Sequence, residues 1–426
     1  MTATFTEKTE DTKPTVPPGA GSDGQTFLVG DTLYLRGLEL TDAKYVRSWR
    51  FAPFPINAER AEEILKKEIP ASGKGGKRWL LAVRRSDDVP VGSVSWNSWT
   101  WQMADIQLHP DPILSPAARS AFRVEVLGLL GPYLMHEREF MCLGVSLPDG
   151  DPAALQAALA AGFDEIGRLR EAVLVDGRRR DDIQLEALHP GWITTLGDPR
   201  LGDATFRATV ESQRAEFAGR PPVNRRIGSI PADQIPADFP PAAIAVGERI
   251  YIRPLQPEDA DDMAAWSRKE TETFFDTGRG LVSGILMAKH IRDLAEDDLP
   301  GSLRFAIVLR DGDVLIGANG VEEIDWLTRT AETESFFHRP DYCGNGYGTE
   351  AKHLLLEFVF ERLGLHMVRS FVWQPNGRSA AALRKQGYRD AGIFHWDGFK
   401  NAVPANALMF DFLATEWRAL RDAANG

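Results

Sequence analysis

The chain has 426 residues, 43% of them hydrophobic and 26% charged, and a net charge of −12. Two or three globular domains fit that length, and the acidic balance argues against nucleic acid or an anionic membrane as main partner, since both select clustered positive charge. Cys142 and Cys343 lie far apart and make neither a disulfide framework nor a zinc or other metal site. No apolar run approaches the ~20 residues that span a bilayer, and a cytoplasmic protein is expected.

Residues 1–27 are polar, lack the apolar core of a signal peptide and read as a disordered lead-in. GDTLYLRGLELTDAKYVRSW (30–49) predicts an alternating strand, a turn with a helix N-cap at Thr41-Asp42, and an amphipathic helix. RWLLAVRRSDDVPVGSVSW predicts strand, polar turn, strand. The adjoining Trp96, Trp99 and Trp101 form either a ligand-facing aromatic cluster or a packed hairpin, and packing is the preferred reading. HPDPILSPAARSAFRVEVLGLL opens a helix with Ser115 as N-cap and Pro116 at its first position. Residues 203–219 predict one helix. The stretch 220–241 carries Pro221, Pro222, Pro231, Pro236, Pro240 and Pro241 and predicts an extended linker, which its interleaved apolar residues hold along the surface.

GERIYIRPLQPEDADDMAAW (247–266) then repeats 30–49 without gaps. Gly30/Gly247, Tyr34/Tyr251, Arg36/Arg253, Leu38/Leu255, Asp42/Asp259, Ala43/Ala260 and Trp49/Trp266 are identical. Downstream, Gly92 answers Gly317, and Gly162-Phe163 answers Gly387-Tyr388. The chain is a tandem repeat of one α/β unit whose loops differ in length.

The second repeat carries the chemistry. RTAETESFFH predicts a strand. DYCGNGYGTEAKHLLLEFVF follows it, with three alternating glycines and a helix whose apolar face is Ala351, Leu354, Leu355, Phe358 and Val359. Such a junction turns free backbone N–H groups outward at the positive end of a helix and binds phosphate without a cation. It is equally a glycine turn that merely changes direction. A strand at 366–373 precedes Asn376, Ser379 and a short helix ending at Gly387-Tyr388.

Together, Cys343-Gly344-Asn345-Gly346-Tyr347-Gly348-Thr349-Glu350 and Asn376, Ser379, Leu383, Lys385, Gly387 and Tyr388 resemble the GNAT superfamily of N-acetyltransferases. The nearest-looking branch acetylates α-amino groups of ribosomal proteins. The resemblance covers 247–418 with specific motifs and 30–195 with weaker ones. It implies an α/β (α+β) fold: tandem GNAT units, each a mixed, twisted sheet flanked by helices, with two central strands splayed to admit the thioester. It implies acetyl-CoA as acyl donor, with no metal. Its pyrophosphate would lie on the loop from Cys343 through Thr349, with Asn376 at the pantetheine arm and Ser379 near the departing sulfur. Asn345 stands where the family usually has Lys or Arg, which removes one charge-assisted contact. Leu383 stands where many members carry a tyrosine acid, which leaves Ser379 as the acid candidate.

Glu332 and Glu334 alternate on the preceding strand and share a face. Either is a base candidate or an ordinary partner of an arginine, and Glu332 is favoured because the branch usually has an acid there. His338 reads as a structural hydrogen-bonding residue. Acceptor recognition is expected from Phe274, Phe275, Asp276 and Arg279, and from His395, Trp396, Asp397 and Phe399. Phe275, Asp276 and Trp396 are the leading candidates, since aromatics beside a carboxylate suit a cationic amine, although the same residues equally suit an ordinary core with a polar rim.

The first repeat has no glycine between Gly92 and Gly128, and Asp151 and Ala154 answer Asn376 and Ser379. The expected plan is therefore a disordered segment (1–27), a degenerate domain without the donor loop (28–195), a helix and Pro-rich linker (196–244) and a catalytic domain (245–420). The expected activity is acetyl transfer to a primary amine of a small molecule or peptide N-terminus. The alternatives are an acyl-CoA-binding regulatory protein without turnover and an acyltransferase using another donor. A pseudo-dimer within one chain suits a monomer, with a homodimer as the other possibility.

Overall fold

The computed structural model describes residues 26–50, 56–71, 78–100, 103–201, 203, 208, 242–269, 283–293, 300–337, 340–400 and 403–425. The expected lead-in, nearly all of the 203–219 helix, the Pro-rich linker, and Trp101, Phe274, Phe275, Asp276, Arg279 and His338 lie outside those residues. Contacts divide the described residues into two units. One lies within Met1–Asn97 and Ile106–Tyr133, the other within Ser98–Asp105 and Leu134–Gly426.

The first unit contains β1 (Thr26–Val29), β2 (Leu33–Arg36), α1 (Val46–Trp49), α2 (Ala58–Ala71), β3 (Arg78–Arg84), most of β4 (Val89–Thr100) and of β5 (Met103–Pro110), and α3 (Pro116–Pro132), its strands neighbouring in that order. Alternation buries Tyr34, Leu81 and Val83 with Trp49 and Leu65 in one apolar cluster. After β2 the chain turns on an ion pair. Buried Asp42 accepts from both Arg36 guanidinium nitrogens at 2.8 and 2.7 Å, and its Oδ2 also takes the Glu39 amide at 2.8 Å. As expected, Ser115 caps α3, its hydroxyl accepting from Ala118 N at 3.2 Å, with Pro116 at the first helical position.

The second unit contains β6 (Cys142–Pro148), α4 (Pro152–Ala160), β7 (Asp164–Val175), β8 (Arg178–Leu188), α5 (Pro190–Leu196), β9 (Ala245–Val246), β10 (Ile250–Pro254), α6 (Ala260–Lys269), α7 (Gly284–Asp293), β11 (Leu303–Leu309), β12 (Leu315–Asp325), β13 (Thr330–Phe337), α8 (Tyr347–Glu357), β14 (Met367–Trp373), α9 (Gly377–Gln386), β15 (Arg389–Lys400), β16 (Val403–Leu413) and α10 (Ala414–Asn425). Its strands run β6-β8-β7-β15-β16-β14-β13-β12-β11-β10-β9, all antiparallel where registered except β13 with β14. One face of the sheet packs on α8 and α10 through Ile252, Phe305, Leu354, Leu355, Phe410 and Trp417. The turn device recurs: Asp259 accepts from Arg253 at 2.8 and 2.7 Å and from Gln256 N at 2.8 Å.

This unit joins strands from both repeats. Gly167 of β7 faces Gly392 of β15, and these are equivalent positions of the repeat. A Cβ on Gly392 would lie 2.6 Å from Gly167 Cα, so the close approach requires glycine on both sides. Three residues beyond each glycine, Arg170 and His395 reach across the join. Arg170 donates from its amide to Asp411 at 2.9 Å, and from its guanidinium to Asp411 and Glu416. His395 donates from its amide to Glu186 at 3.0 Å, and its ring lies between Glu186 (2.5 Å) and Asp203 (2.7 Å). Burial alone would lower the His395 pKa, but the two carboxylates outweigh it and the net shift is upward. Among the described residues, no helix is long and apolar enough to cross a membrane.

Gly392→Val is expected to force β7 from β15 and to cost about 2 kcal/mol or more. Urea unfolding checks this, and an unchanged midpoint would show that the join yields without cost.

Candidate active site

The site begins where a sheet comes apart. β13 pairs with β12 along most of its length, but with β14 only at Thr330↔Met367, Ala331↔Val368 and Glu332↔Arg369. Past that rung side chains replace the ladder. Ser370 Oγ donates to Thr333 O at 3.0 Å, and the Thr333 and Tyr388 hydroxyls bond at 2.8 Å. The main chain of β13 from Glu334 onward thus has no β14 ladder partner and borders a gap.

The glycine loop lies between β13 and α8. Gly344 and Gly346 have φ of 80° and 84°, left-handed values that account for glycine at both positions. Gly346 is the N-cap of α8, and no side chain caps that helix end. The first repeat differs here, because Ser115 occupies the equivalent end of α3. The α8 end therefore presents first-turn amides and the positive pole of a helix with no side chain of its own to satisfy them.

Behind this end sits Glu350, 1% exposed. Its carboxylate accepts from Arg249 N at 2.7 Å, Ile250 N at 3.3 Å and Arg249 Nε at 3.0 Å. Arg249 also donates to Asn345 O at 2.9 Å and lies over the Tyr347 ring, 4.5 Å from its centroid. Arg249 is thus the cation that the loop sequence lacks, brought from the start of β10. Sequence reasoning missed it, although the gapless repeat carried a signal: Arg249 answers Thr32, whose amide bonds Glu125 at 2.7 Å as Arg249 N bonds Glu350. Asn345 is exposed, and its side chain donates to Asp341 O at 3.1 Å.

The two strand carboxylates are not equivalent. Glu334 pairs with Arg304 at 2.8 Å, and Arg304 also pairs with Glu322 at 3.1 Å. The Glu332 side chain makes no ion pair or hydrogen bond among the described residues. Burial raises its carboxyl to about 8, with Arg369 pulling the other way and Glu323, Glu322 and Glu334 adding to the rise. On α8, Lys352 is 4% exposed, and burial lowers its ammonium to about 8 against the attraction of Glu334 and Glu332. Sequence reasoning passed over Lys352 too. Its spacing from Leu355 and Leu356 put it within the apolar stripe, where a lysine has to be explained.

Asn376 is the N-cap of α9, its Oδ1 accepting from Ser379 N at 3.2 Å. Asp151 caps α4 identically, accepting from Ala154 N at 3.2 Å, so the cap itself is common to both repeats. Ser379 lies in the first turn of α9, half-buried. Trp396 is 3% exposed with φ of 51° at an irregularity of β15, so its ring faces protein rather than solvent. Cys343 and Thr349 are half-buried beside the loop, and Trp96 is buried. Cys142 is buried too, its thiol donating to Glu186 at 3.0 Å.

A mixed sheet parted between two central strands, with an open helix end at its mouth, is the framework of an acyltransferase. Residues 249–389 match the family model described as acetyltransferase (GNAT) domain, and this stretch is a GNAT-family N-acetyltransferase domain. Among curated proteins, the N-acetyltransferase YoaA of Bacillus subtilis (strain 168), itself uncharacterized, is 22% identical over 169 residues, 39% of this chain and 94% of that protein. The uncharacterized N-acetyltransferase p20 of Bacillus licheniformis is 26% identical over 174 residues, 40% of this chain and 96% of that protein. Among solved structures, mutant forms of the spermidine/spermine N-acetyltransferase SpeG from Vibrio cholerae are 18% identical, covering 40% of this chain and 96% of theirs with a TM-score of 0.36. Enzymes of this family take the acetyl group from acetyl-CoA and act on amines.

Glu332 is expected to titrate near pH 8, followed by carboxyl carbon chemical shifts and assigned by loss of the signal in Glu332→Gln. Because its native pKa lies above the unfolded value, its stabilising contribution is complete below about pH 4.5 and lost as pH rises through about 8. The Gln variant should therefore gain stability relative to the parent across that window in urea unfolding.

Proposed function

We propose that the second repeat (245–420) transfers an acetyl group from acetyl-CoA to a primary amine, on a small molecule or a peptide N-terminus, by direct attack. The uncapped α8 end beside the β13–β14 gap carries this reading. The pyrophosphate is held by amides from Gly344 through Thr349, flanked by Cys343 and Tyr347, with Arg249 supplying the cation that Asn345 does not. The pantetheine arm enters the gap past Asn376. Glu332 takes the proton of the amine, and a base near pKa 8 suits that task at neutral to mildly alkaline pH. Ser379 is the hydroxyl on the departing-sulfur side. Phe275 and Asp276 receive the acceptor amine, and Trp396 shapes its site from within.

The first repeat (28–195) is a non-catalytic pseudo-acetyltransferase. Its helix end is filled by its own Ser115, and its cap is the anionic Asp151. Joining β7 to β15 lets it stand in for the partner subunit of a dimer, which suits a chain that works as a monomer.

Gly346→Asp places a carboxylate beside Arg249 on the phosphate seat; a Cβ there lies 3.2 Å from the guanidinium. Calorimetric titration should show acetyl-CoA binding to the parent and at least about tenfold weaker binding to the variant, a change of about 1.4 kcal/mol. Equal binding by both proteins removes the loop from the donor site. In a thiol-release assay over a panel of amines, Glu332→Gln should lower kcat about 10²-fold or more and abolish the rise in rate toward pH 8.

A further inference from the structure

Lys352 is a buried cation that feels the attraction of Glu334 and Glu332 but pairs directly with neither. Its side chain has no hydrogen bond and no ion pair among the described residues, and its Nζ lies over the Tyr388 ring, 6.0 Å from the centroid. An ammonium buried without a direct ion pair or hydrogen bond is costly to keep charged. Its place in the fold shows what it is for. The Tyr388 hydroxyl bonds Thr333, the first residue of β13 beyond the last rung shared with β14. Lys352 therefore lies under the point where the strands part, on the helix whose amino end forms the proposed phosphate seat. Beside it, Asn319 Nδ2 donates to Ala351 O at 2.9 Å while the buried Asn319 Oδ1 has no partner. Unsatisfied polar groups clustered at a gap call for a ligand.

We infer that Lys352 is a catalytic residue that pairs with the sulfur of the acyl donor and protonates it as it leaves, a role that rests on the donor reading proposed above. The amine lone pair forms the C–N bond while the carbonyl π pair moves to oxygen. On collapse the C–S bond breaks and its electron pair stays on sulfur. Sulfur takes a proton from the Lys352 ammonium, Glu332 takes one from the amine nitrogen, and solvent exchange restores both groups. The ammonium, lowered to about 8, is matched to a thiol leaving group with pKa of roughly 8.5. Lys352, rather than Ser379, is then the acid.

Equilibrium binding of CoA and of desulfo-CoA, which lacks only the sulfur, tests this without turnover. At pH 8.5 the parent should bind CoA at least about tenfold more tightly than desulfo-CoA. Lys352→Met should bind both alike, with desulfo-CoA affinity as in the parent, whereas Ser379→Ala should keep the preference. Lys352→Gln serves the same comparison if the Met variant does not fold. A preference that survives both Lys352 substitutions, or that is missing from the parent while both ligands bind, overturns the role of Lys352 and leaves the donor site standing. Failure of both ligands to bind the parent overturns the donor reading and this inference with it. A purely structural lysine would change thermal stability and leave the CoA to desulfo-CoA ratio unmoved.

Discussion

The buried carboxylate of Glu350 is the constraint on which the glycine loop and the open end of α8 depend. It takes two main-chain amides at the start of β10 and the Arg249 side chain, which fixes the glycine loop, the open end of α8 and a cation in one place. Glu125 plays the same part in the first repeat, accepting from the amides of Thr32 and Leu33 at 2.7 and 2.9 Å. Gly30 and Gly247 are glycine for the same reason: a Cβ at either position would collide with that carboxylate. The anchor is thus common to both segments. What differs is the residue attached to it, Thr32 in one and Arg249 in the other, and the neighbouring helix end, capped in one and open in the other.

The same logic governs the join between the repeats. Arg170 and His395 occupy equivalent positions and send their amides to the equivalent carboxylates Asp411 and Glu186. An arginine holds two carboxylates at any physiological pH. A histidine does so only while protonated, so this half of the join contributes fully below about pH 6.5 and weakens as pH rises through the raised native value. One half of a near-symmetric contact is permanent and the other is conditional.

Much of this was legible in sequence because it depends on local rules. Identical residues at gapless spacing exposed the repeat, and Ser115-Pro116 marked a capped helix that the structure bears out. The GNAT resemblance came from residues confined to two short segments, and the family match at 249–389 agrees with it. Alternation put Glu332 and Glu334 on one face, but periodicity carries no information about partners. The structure distinguishes their surroundings: Arg304 pairs with Glu334, whereas the Glu332 side chain has no ion pair among the described residues. His395 and Trp396 suited an acceptor site and an ordinary core with a polar rim equally in sequence. The structure buries both, and the His395 ring meets Glu186, 209 residues away, which no local pattern could announce.

By itself, then, the sequence determined the elements, the glycines that permit positive φ and the helix ends that carry a cap or lack one, since each depends on neighbours within a few residues. Only the tertiary structure decided which charges meet. Arg249 reaches Asn345 across 96 residues, Arg170 reaches Asp411 across 241, and Lys352 lies within the attraction of Glu334 and Glu332 without pairing to either. The reason is physical. Burial and Coulombic pairing act over a few ångströms of space regardless of separation along the chain, and they set the ionisation of Glu332 and Lys352.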